Sequence, residues 1–319
     1  MFWDKLKKPF FALAPMHDVT DVAFREAVAH FGKPDILFTE FVSVDGLCHD
    51  KSREKMKRYY LQFTKLQRPI VAQIWGNNPD HFFEAAKYVA SLGFDGIDIN
   101  MGCPDKSVIK QGGGAALILE PQRAKEIIEA TKKGSGKLPV SVKTRTGFDD
   151  ATIDEWIPEL ISVHPVAITV HGRTKKELSR VPAHWDLIGR AASIAAGSGV
   201  YILGNGDVSS KSEGINLAEK YKLDGIMVGR SVLGNPWFFS DKDEADYVSA
   251  RKRIEALGYH AEKFDEYFSE IKRFAHFKKH IKGYLSGFDG AKELRSKIME
   301  AKNSTDLKNL LDKYSGRYI

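Results

Sequence analysis

The chain has 319 residues, 43% hydrophobic and 28% charged, the balance of a soluble globular protein built as one large domain or as a barrel with an appendage. No apolar run approaches the roughly 20 residues that span a bilayer, and two cysteines without a secretory-type apolar segment near Met1 exclude a disulfide framework and point to the cytoplasm. A formal net charge of +6 favours a polyanionic partner, and the cysteine count suggests no metal site.

Short apolar runs at 10–16, 36–42, 69–76, 96–102, 139–147, 167–174, 201–208 and 225–229 predict strands. Amphipathic stretches at 20–31, 79–92, 121–132, 153–163 and 213–221 predict helices between them. Eight strands alternating with helices is the pattern of an α/β protein of the (β/α)8 TIM barrel type, assigned to residues 1–240. An open doubly wound sheet is the rival, but no Gly-x-Gly-x-x-Gly follows the first strand.

The fourth strand ends in Asn100-Met101-Gly102-Cys103-Pro104, ahead of the loop Gln111-Gly112-Gly113-Gly114. A lone cysteine is ordinarily an inert core residue, but this one lies at a strand mouth and reads as a positioned thiol. The fifth strand sets Val140 and Val142 against Ser141, Lys143 and Arg145. The sixth sets Val166, Ile168 and Val170 against a face that ends in His171. With a side-chain period of 2, the aliphatic faces pack on the helices and the polar faces enter the barrel near its C-terminal mouth, where barrel enzymes keep their active sites. Buried cations are expensive unless paired, so their convergence implies a polar or anionic ligand. Lys143 bridged to Asp98, and His171 as a satisfied core residue, are the structural alternatives. The last two strands close in Gly204-Asn205-Gly206-Asp207 and Val228-Gly229-Arg230, where glycine amides and an arginine suit a phosphate.

Beyond a charged connector at 240–246 no strand signal remains, and 271–285, 291–301 and 305–314 have helical spacing. A smaller all-helical C-terminal domain is assigned to 247–319. Between Ile271 and Ile298 it carries Lys272, Arg273, Lys278, Lys279, Lys282, Lys292, Arg295 and Lys297 against Asp289 and Glu293. A second basic stretch occupies 51–58. Each reads as a solvated face or as a polyanion contact.

Taken in order, these motifs resemble the tRNA dihydrouridine synthases, flavin enzymes that reduce uridine in tRNA. The resemblance is carried by Leu13-Ala14-Pro15-Met16, Val19-Thr20-Asp21, Thr39-Glu40-Phe41-Val42, Asn100-Met101-Gly102-Cys103-Pro104 and Val142-Lys143-Thr144-Arg145-Thr146-Gly147. It continues through His171-Gly172-Arg173-Thr174, the two glycine turns, Lys279-His280 and Ala291-Lys292-Glu293-Leu294-Arg295. The resemblance implies FMN across the barrel mouth, with Pro15, Met16 and His17 along its ring and Gln73, Lys143 and His171 near its polar edge. Asn205, Gly206, Asp207, Gly229 and Arg230 would hold its phosphate. Cys103 would be the catalytic acid, Asn100 and Arg145 would face the uracil, and Lys279, His280 and Arg295 would meet tRNA. NADPH (or NADH) as reductant and a monomeric enzyme are the accompanying expectations. His17-Asp18 and Leu178-Ser179-Arg180-Val181 depart from the family's usual residues, the second in a loop where tRNA choice would be set. Two other readings compete: a dihydroorotate dehydrogenase-like flavin barrel acting on a free small molecule, and an RNA-binding module that kept the scaffold.

Overall fold

The apolar runs pair edge to edge in a computed structural model that describes residues 1–240 and 248–316; apart from Ser240, the expected connector lies outside them. Nine strands form among the described residues: β1 Phe10–Leu13, β2 Ile36–Phe38, β3 Val42–Ser43, β4 Ile70–Trp75, β5 Gly96–Met101, β6 Val140–Arg145, β7 Ala167–His171, β8 Tyr201–Asn205 and β9 Gly225–Val228. All pairings are parallel, in the order β2-β1-β9-β8-β7-β6-β5-β4-β3, and a β2–β4 pairing closes eight of them into a barrel. The small β3 extends the ladder of β4. The expected strand 36–42 is thus split in two. Thr39 interrupts it: its hydroxyl donates to the Glu40 carbonyl at 2.8 Å and accepts from the Gln73 N–H at 3.0 Å.

Helices fill the crossovers with local signals at their starts. Asp21 accepts from the Phe24 N–H ahead of the helix Val22–Gly32, and Asn78 caps Pro79–Ser91, which has proline at its first position. The helices Val44–Cys48, Asp50–Tyr60, Lys106–Lys110 and Trp185–Ala195 were not among those expected. Cys48 therefore ends a short helix and points its thiol at the His81 carbonyl, 3.7 Å away.

Two cores result. Val140, Val142, Ile168 and Val170 pack outward with helix residues such as Phe82, Ile127 and Leu160. Inside, Phe10, Ala12, Ile36, Phe38, Val71, Ala167, Leu203 and Met227 fill the lower half of the barrel, and Trp3 plugs its base against Phe10 and Tyr201 at ring distances of 5.7 and 6.1 Å. Large apolar side chains below leave room for polar ones only toward the C-terminal mouth. That is where the site lies.

The C-terminal region is helical, as expected, but arranged differently. Its largest helix is Ala250–Phe268, and 271–285 is not one helix but a run of short turns, followed by Ala291–Ile298 and Ser304–Ser315. This region shares its core with the barrel: Val22, Ala23 and Trp237 pack with Leu257, Phe264, Phe277 and Leu294. Fully buried Phe24 lies 5.5 Å from the His260 ring and 5.4 Å from the His280 ring. Phe24→Ala should cost about 3–5 kcal/mol, the usual penalty for emptying an aromatic core position. Urea unfolding followed by fluorescence and circular dichroism would measure it, and a loss below about 1 kcal/mol would mean that the junction is loosely packed.

Candidate active site

The inner face turns polar at one level of the barrel, and a buried carboxylate organises it. Asp98 accepts from the Ser141 hydroxyl and from Gln73 Nε2, each at 2.6 Å. An ionised carboxylate only accepts, so Gln73 must offer its amide N–H and keep its oxygen for Asn100 Nδ2 at 3.0 Å. Asn100 then turns its oxygen to the loop, where it accepts from the N–H groups of Gly102 at 3.1 Å and Cys103 at 2.9 Å. The direction of every bond follows from the first. Burial pushes the Asp98 carboxyl up to about 6, against the hydrogen bonds from Gln73 and Ser141 and the nearby charge of Lys143.

Asn100 was expected to face a substrate. Here both acceptor sites and one N–H of its amide position Cys103 instead, which leaves one N–H for a ligand. Two further contacts fix the same loop. Arg145 Nε donates to the Gly102 carbonyl at 2.6 Å, and the Ala115 N–H donates to the Cys103 carbonyl at 3.0 Å. Gly114 permits that approach: its φ is +60°, and a Cβ there would come within 2.7 Å of the Cys103 oxygen. The Cys103 thiol is half-buried, and burial pushes it above the ordinary cysteine value, with the Asp105 charge adding and Arg145 and Lys143 opposing.

Lys143 does not bridge to Asp98. It donates to Asn205 Oδ1 at 3.1 Å, and Asn205 Nδ2 donates in turn to the Met227 carbonyl at 2.8 Å. Burial, helped by the Arg145 charge, brings the Lys143 ammonium down to about 8, so it is cationic at neutral pH and loses its charge just above it. His171 is held well below its ordinary value by burial and by Lys143, Arg145, Arg173 and Arg230, which makes its ring neutral. Its Nδ1 is buried without a protein partner.

Around the ends of β8 and β9, Asn205, Gly206, Asp207, Gly229, Arg230 and Ser231 line a cavity of about 390 Å³. The N–H groups of Gly206, Asp207, Gly229 and Arg230 have no acceptor among the described residues. Gly206 has φ +141°, and a Cβ there would strike Ala183 at 2.6 Å. The side chains of Asn205 and Asp207 are committed elsewhere. Asp207 accepts from Arg173, from Arg230 at 2.8 Å and from the Ala183 N–H at 3.0 Å. These two residues therefore offer a phosphate their backbone, while Arg230 offers charge.

After β1, the neighbour of β9, the Met16 N–H donates to Thr20 Oγ1 at 2.9 Å, and the Asp18 N–H donates to Glu40 Oε1 at 2.6 Å. Together these hold Pro15, Met16 and His17 as a turn rather than as the expected end of β1. Met16 reaches toward Gly229, with its sulfur 3.5 Å from where a Cβ there would be. His17 is exposed and stacks on Phe41 at 5.0 Å. Glu40, Thr20 and Arg173 are positioning residues for which the sequence reading gave no role; their placement inside quoted motifs was the available signal.

The expected RNA contacts separate. Lys279 is exposed, but His280 is 6% exposed and stacks on Phe24 inside the shared core, so it is not available to a phosphate. It fills the aromatic gap between barrel and helices. Arg295 donates to the Leu285 carbonyl, Lys278 to the Met299 carbonyl at 2.6 Å, and Lys272 is covered beside Asp21 at 3.9 Å. Lys282, Lys292 and Lys297 are exposed with Lys279. The Tyr59 hydroxyl donates to the Ile271 carbonyl at 2.7 Å, which brings the basic helix Asp50–Tyr60 beside the helical region. Two basic segments far apart in sequence thus become neighbours.

Because only the thiolate is nucleophilic, iodoacetamide should label Cys103 slowly at neutral pH, with a rate still rising beyond pH 9.0, the ordinary thiol value. Mass-spectrometric counting of labelled Cys103 would show this, and a rate that levels off near neutrality would contradict the environment described.

Residues 12–317 match the dihydrouridine synthase family. A probable tRNA-dihydrouridine synthase 2 of Bacillus subtilis (strain 168) is 40% identical over 324 residues, covering 100% of this chain and 98% of that protein. A probable tRNA-dihydrouridine synthase of Staphylococcus aureus (strain COL) is 39% identical over 322 residues, covering 99% and 96%. Among solved structures, histamine dehydrogenase from Rhizobium sp. 4-9 shares the fold with a TM-score of 0.56 at 15% identity, over 82% of this chain and 51% of that one. With its closed parallel barrel and the motif-bearing loops gathered at one mouth, the chain belongs to the dihydrouridine synthase family.

Proposed function

We propose that this enzyme reduces the C5–C6 double bond of specific uridines in tRNA, with FMN held across the barrel mouth and NADPH as electron donor. The observation that carries the reading is a half-buried thiol, Cys103, in a loop fixed by Asn100 and Arg145 at the same barrel mouth as an anion cradle and a cluster of cations. The unpaired amides at Gly206, Asp207, Gly229 and Arg230 suit one phosphate, and the unpartnered His171 Nδ1 suits a polar ring edge. When bound and reduced, flavin supplies a hydride for C6 of the uracil.

The chain's own residues then have separate tasks. Cys103, kept protonated by burial, delivers a proton to C5 as general acid. Lys143 and Arg145 are placed to stabilise negative charge on the uracil carbonyls. The target base must leave its stack to enter such a mouth. The adjacent basic faces, Asp50–Tyr60 and the exposed lysines from Lys279 onward, would hold the RNA backbone. A flavin barrel acting on free pyrimidines would leave those faces without a partner. The same reading assigns a barrel domain to 1–240, a tRNA-binding domain to 247–319, a monomer as working unit and the cytoplasm as its place.

Cys103→Ala should fold, retain flavin and accept electrons from NADPH, yet form dihydrouridine at least about 10²-fold more slowly. Cys48→Ala should be nearly silent. Flavin reduction and tRNA reduction assayed separately would test this, and a wild-type tRNA rate in Cys103→Ala would remove Cys103 from its role. Arg230→Ala should release FMN more readily, by about 1.5–3 kcal/mol for a charge-assisted phosphate contact; unchanged flavin occupancy on dilution would refute the cradle. Lys279→Ala with Lys282→Ala should flatten the salt dependence of tRNA binding by about one to two units of slope, measured by titration at several salt concentrations. An unaltered slope would make these lysines mere solvated surface.

A further inference from the structure

Arg173 has no part in the chemistry above, yet it is only 2% exposed and touches a ring that does. Each of its three guanidinium nitrogens faces an acceptor. Nε donates to the Val181 carbonyl, one terminal nitrogen donates to Asp207, and the other lies 3.4 Å from His171 Nε2. Asp207 also holds Arg230, so the guanidinium is braced from the anion cradle.

A guanidinium has five N–H donors and no acceptor, and it does not give up its proton in a protein. The ring nitrogen that faces it must therefore present a lone pair. A neutral imidazole carries one proton, which leaves that proton on Nδ1. The alternative tautomer would set an N–H against the guanidinium donors. Nδ1, which then carries the proton, is the polar atom of the ring that is buried without a protein partner, and so the one left for a ligand. The charges that act on the ring are those of Lys143, Arg145, Arg173 and Arg230, all cationic and unable to accept from it, while the nearby Asp207 carboxylate is taken up by Arg173, Arg230 and the Ala183 N–H.

We infer that Arg173 is a positioning residue that fixes His171 as its Nδ1–H tautomer, so that the polar atom the ring holds in reserve is a hydrogen-bond donor and the ring is not a base at that nitrogen. This inference rests on the proposed flavin site only for the identity of the acceptor, an uncharged or anionic oxygen or nitrogen on the ring edge of the ligand. His171 then hydrogen-bonds the ligand without exchanging protons with it. Proton delivery stays with Cys103, after β5.

The test is a long-range ¹H–¹⁵N correlation spectrum of the imidazoles in the full-length protein, both as purified and after removal of flavin, with His171 assigned by the loss of its signals in His171→Gln. The expected result is a neutral Nδ1–H ring at neutral pH whose protonation begins well below the ordinary histidine value of 6.5. An Nε2–H tautomer or a charged ring in the unaltered protein would overturn the inference, and that spectrum decides the matter even if no variant folds. In Arg173→Ala the Nε2–H form should appear, and the proton affinity of the ring should rise. Arg173→Gln, which keeps an amide donor, should restore Nδ1–H; an unchanged tautomer in Arg173→Ala would also overturn the role. Flavin retention by His171→Gln is read separately. Weaker retention supports a flavin ligand for this ring, whereas wild-type retention overturns that reading and leaves the tautomer result standing.

Discussion

A single ionised carboxylate inside the barrel, Asp98, gives the mouth its direction. Its two oxygens accept from Ser141 and Gln73, and the remaining donors and acceptors fall into one order that ends at the Cys103 backbone. Neutral amides alone could be reversed end for end; a group that only accepts removes that freedom. The arrangement costs stability. Burial raises the folded-state value from 3.8 to about 6, so the folded protein binds this proton more tightly than the unfolded chain. Asp98 therefore favours folding as pH falls from about 6 toward 4, and ionised at neutral pH it costs about 3 kcal/mol. The barrel carries that cost at the level where its chemistry lies.

Above Asp98 the mouth is dominated by positive charge. Lys143, Arg145, Arg173 and Arg230 surround His171, while Asp98 and Asp207 supply negative charge. Only part of this charge is neutralised by pairing: Asp207 bridges two arginines, and Lys143 has an amide for a partner. A cationic, partly dehydrated mouth binds anions and stabilises developing negative charge more strongly than the same groups in water. It also keeps both the thiol and the imidazole in defined protonation states, Cys103 through burial and His171 through burial and repulsion together.

The helical region is bound to this mouth through a shared core rather than a flexible tether. The barrel helix Val22–Gly32 packs against Ala250–Phe268, with Phe24 against His260 and His280. The junction also buries charge. Arg25 donates to Gln67 and to the carbonyls of Thr20 and Gln62, and Lys272 lies beside Asp21. Polar groups taken out of water demand specific partners, so this junction resists sliding, and the position of the helical region on the barrel is fixed by packing.

The sequence by itself determined the barrel and the polar rim, because strand alternation is local and the side-chain period of 2 leaves little choice about which face is which. Ser141, Lys143 and Arg145 could be placed inside on that ground alone, as could Asn100 and His171. What the sequence left open were distances between strands. Whether Lys143 would meet Asp98 or Asn205, and whether Asn100 would face a ligand or hold Cys103, depends on partners more than 25 residues away. Those choices exist only once the barrel closes. The basic C-terminal segment shows the same limit from the other side. Its charges read alike in the sequence, yet packing against Phe24 and Asp21 buries His280 and Lys272 while leaving Lys279 in solvent. Neighbours in sequence face opposite ways around a helical turn, and only the tertiary contact decides which side is covered.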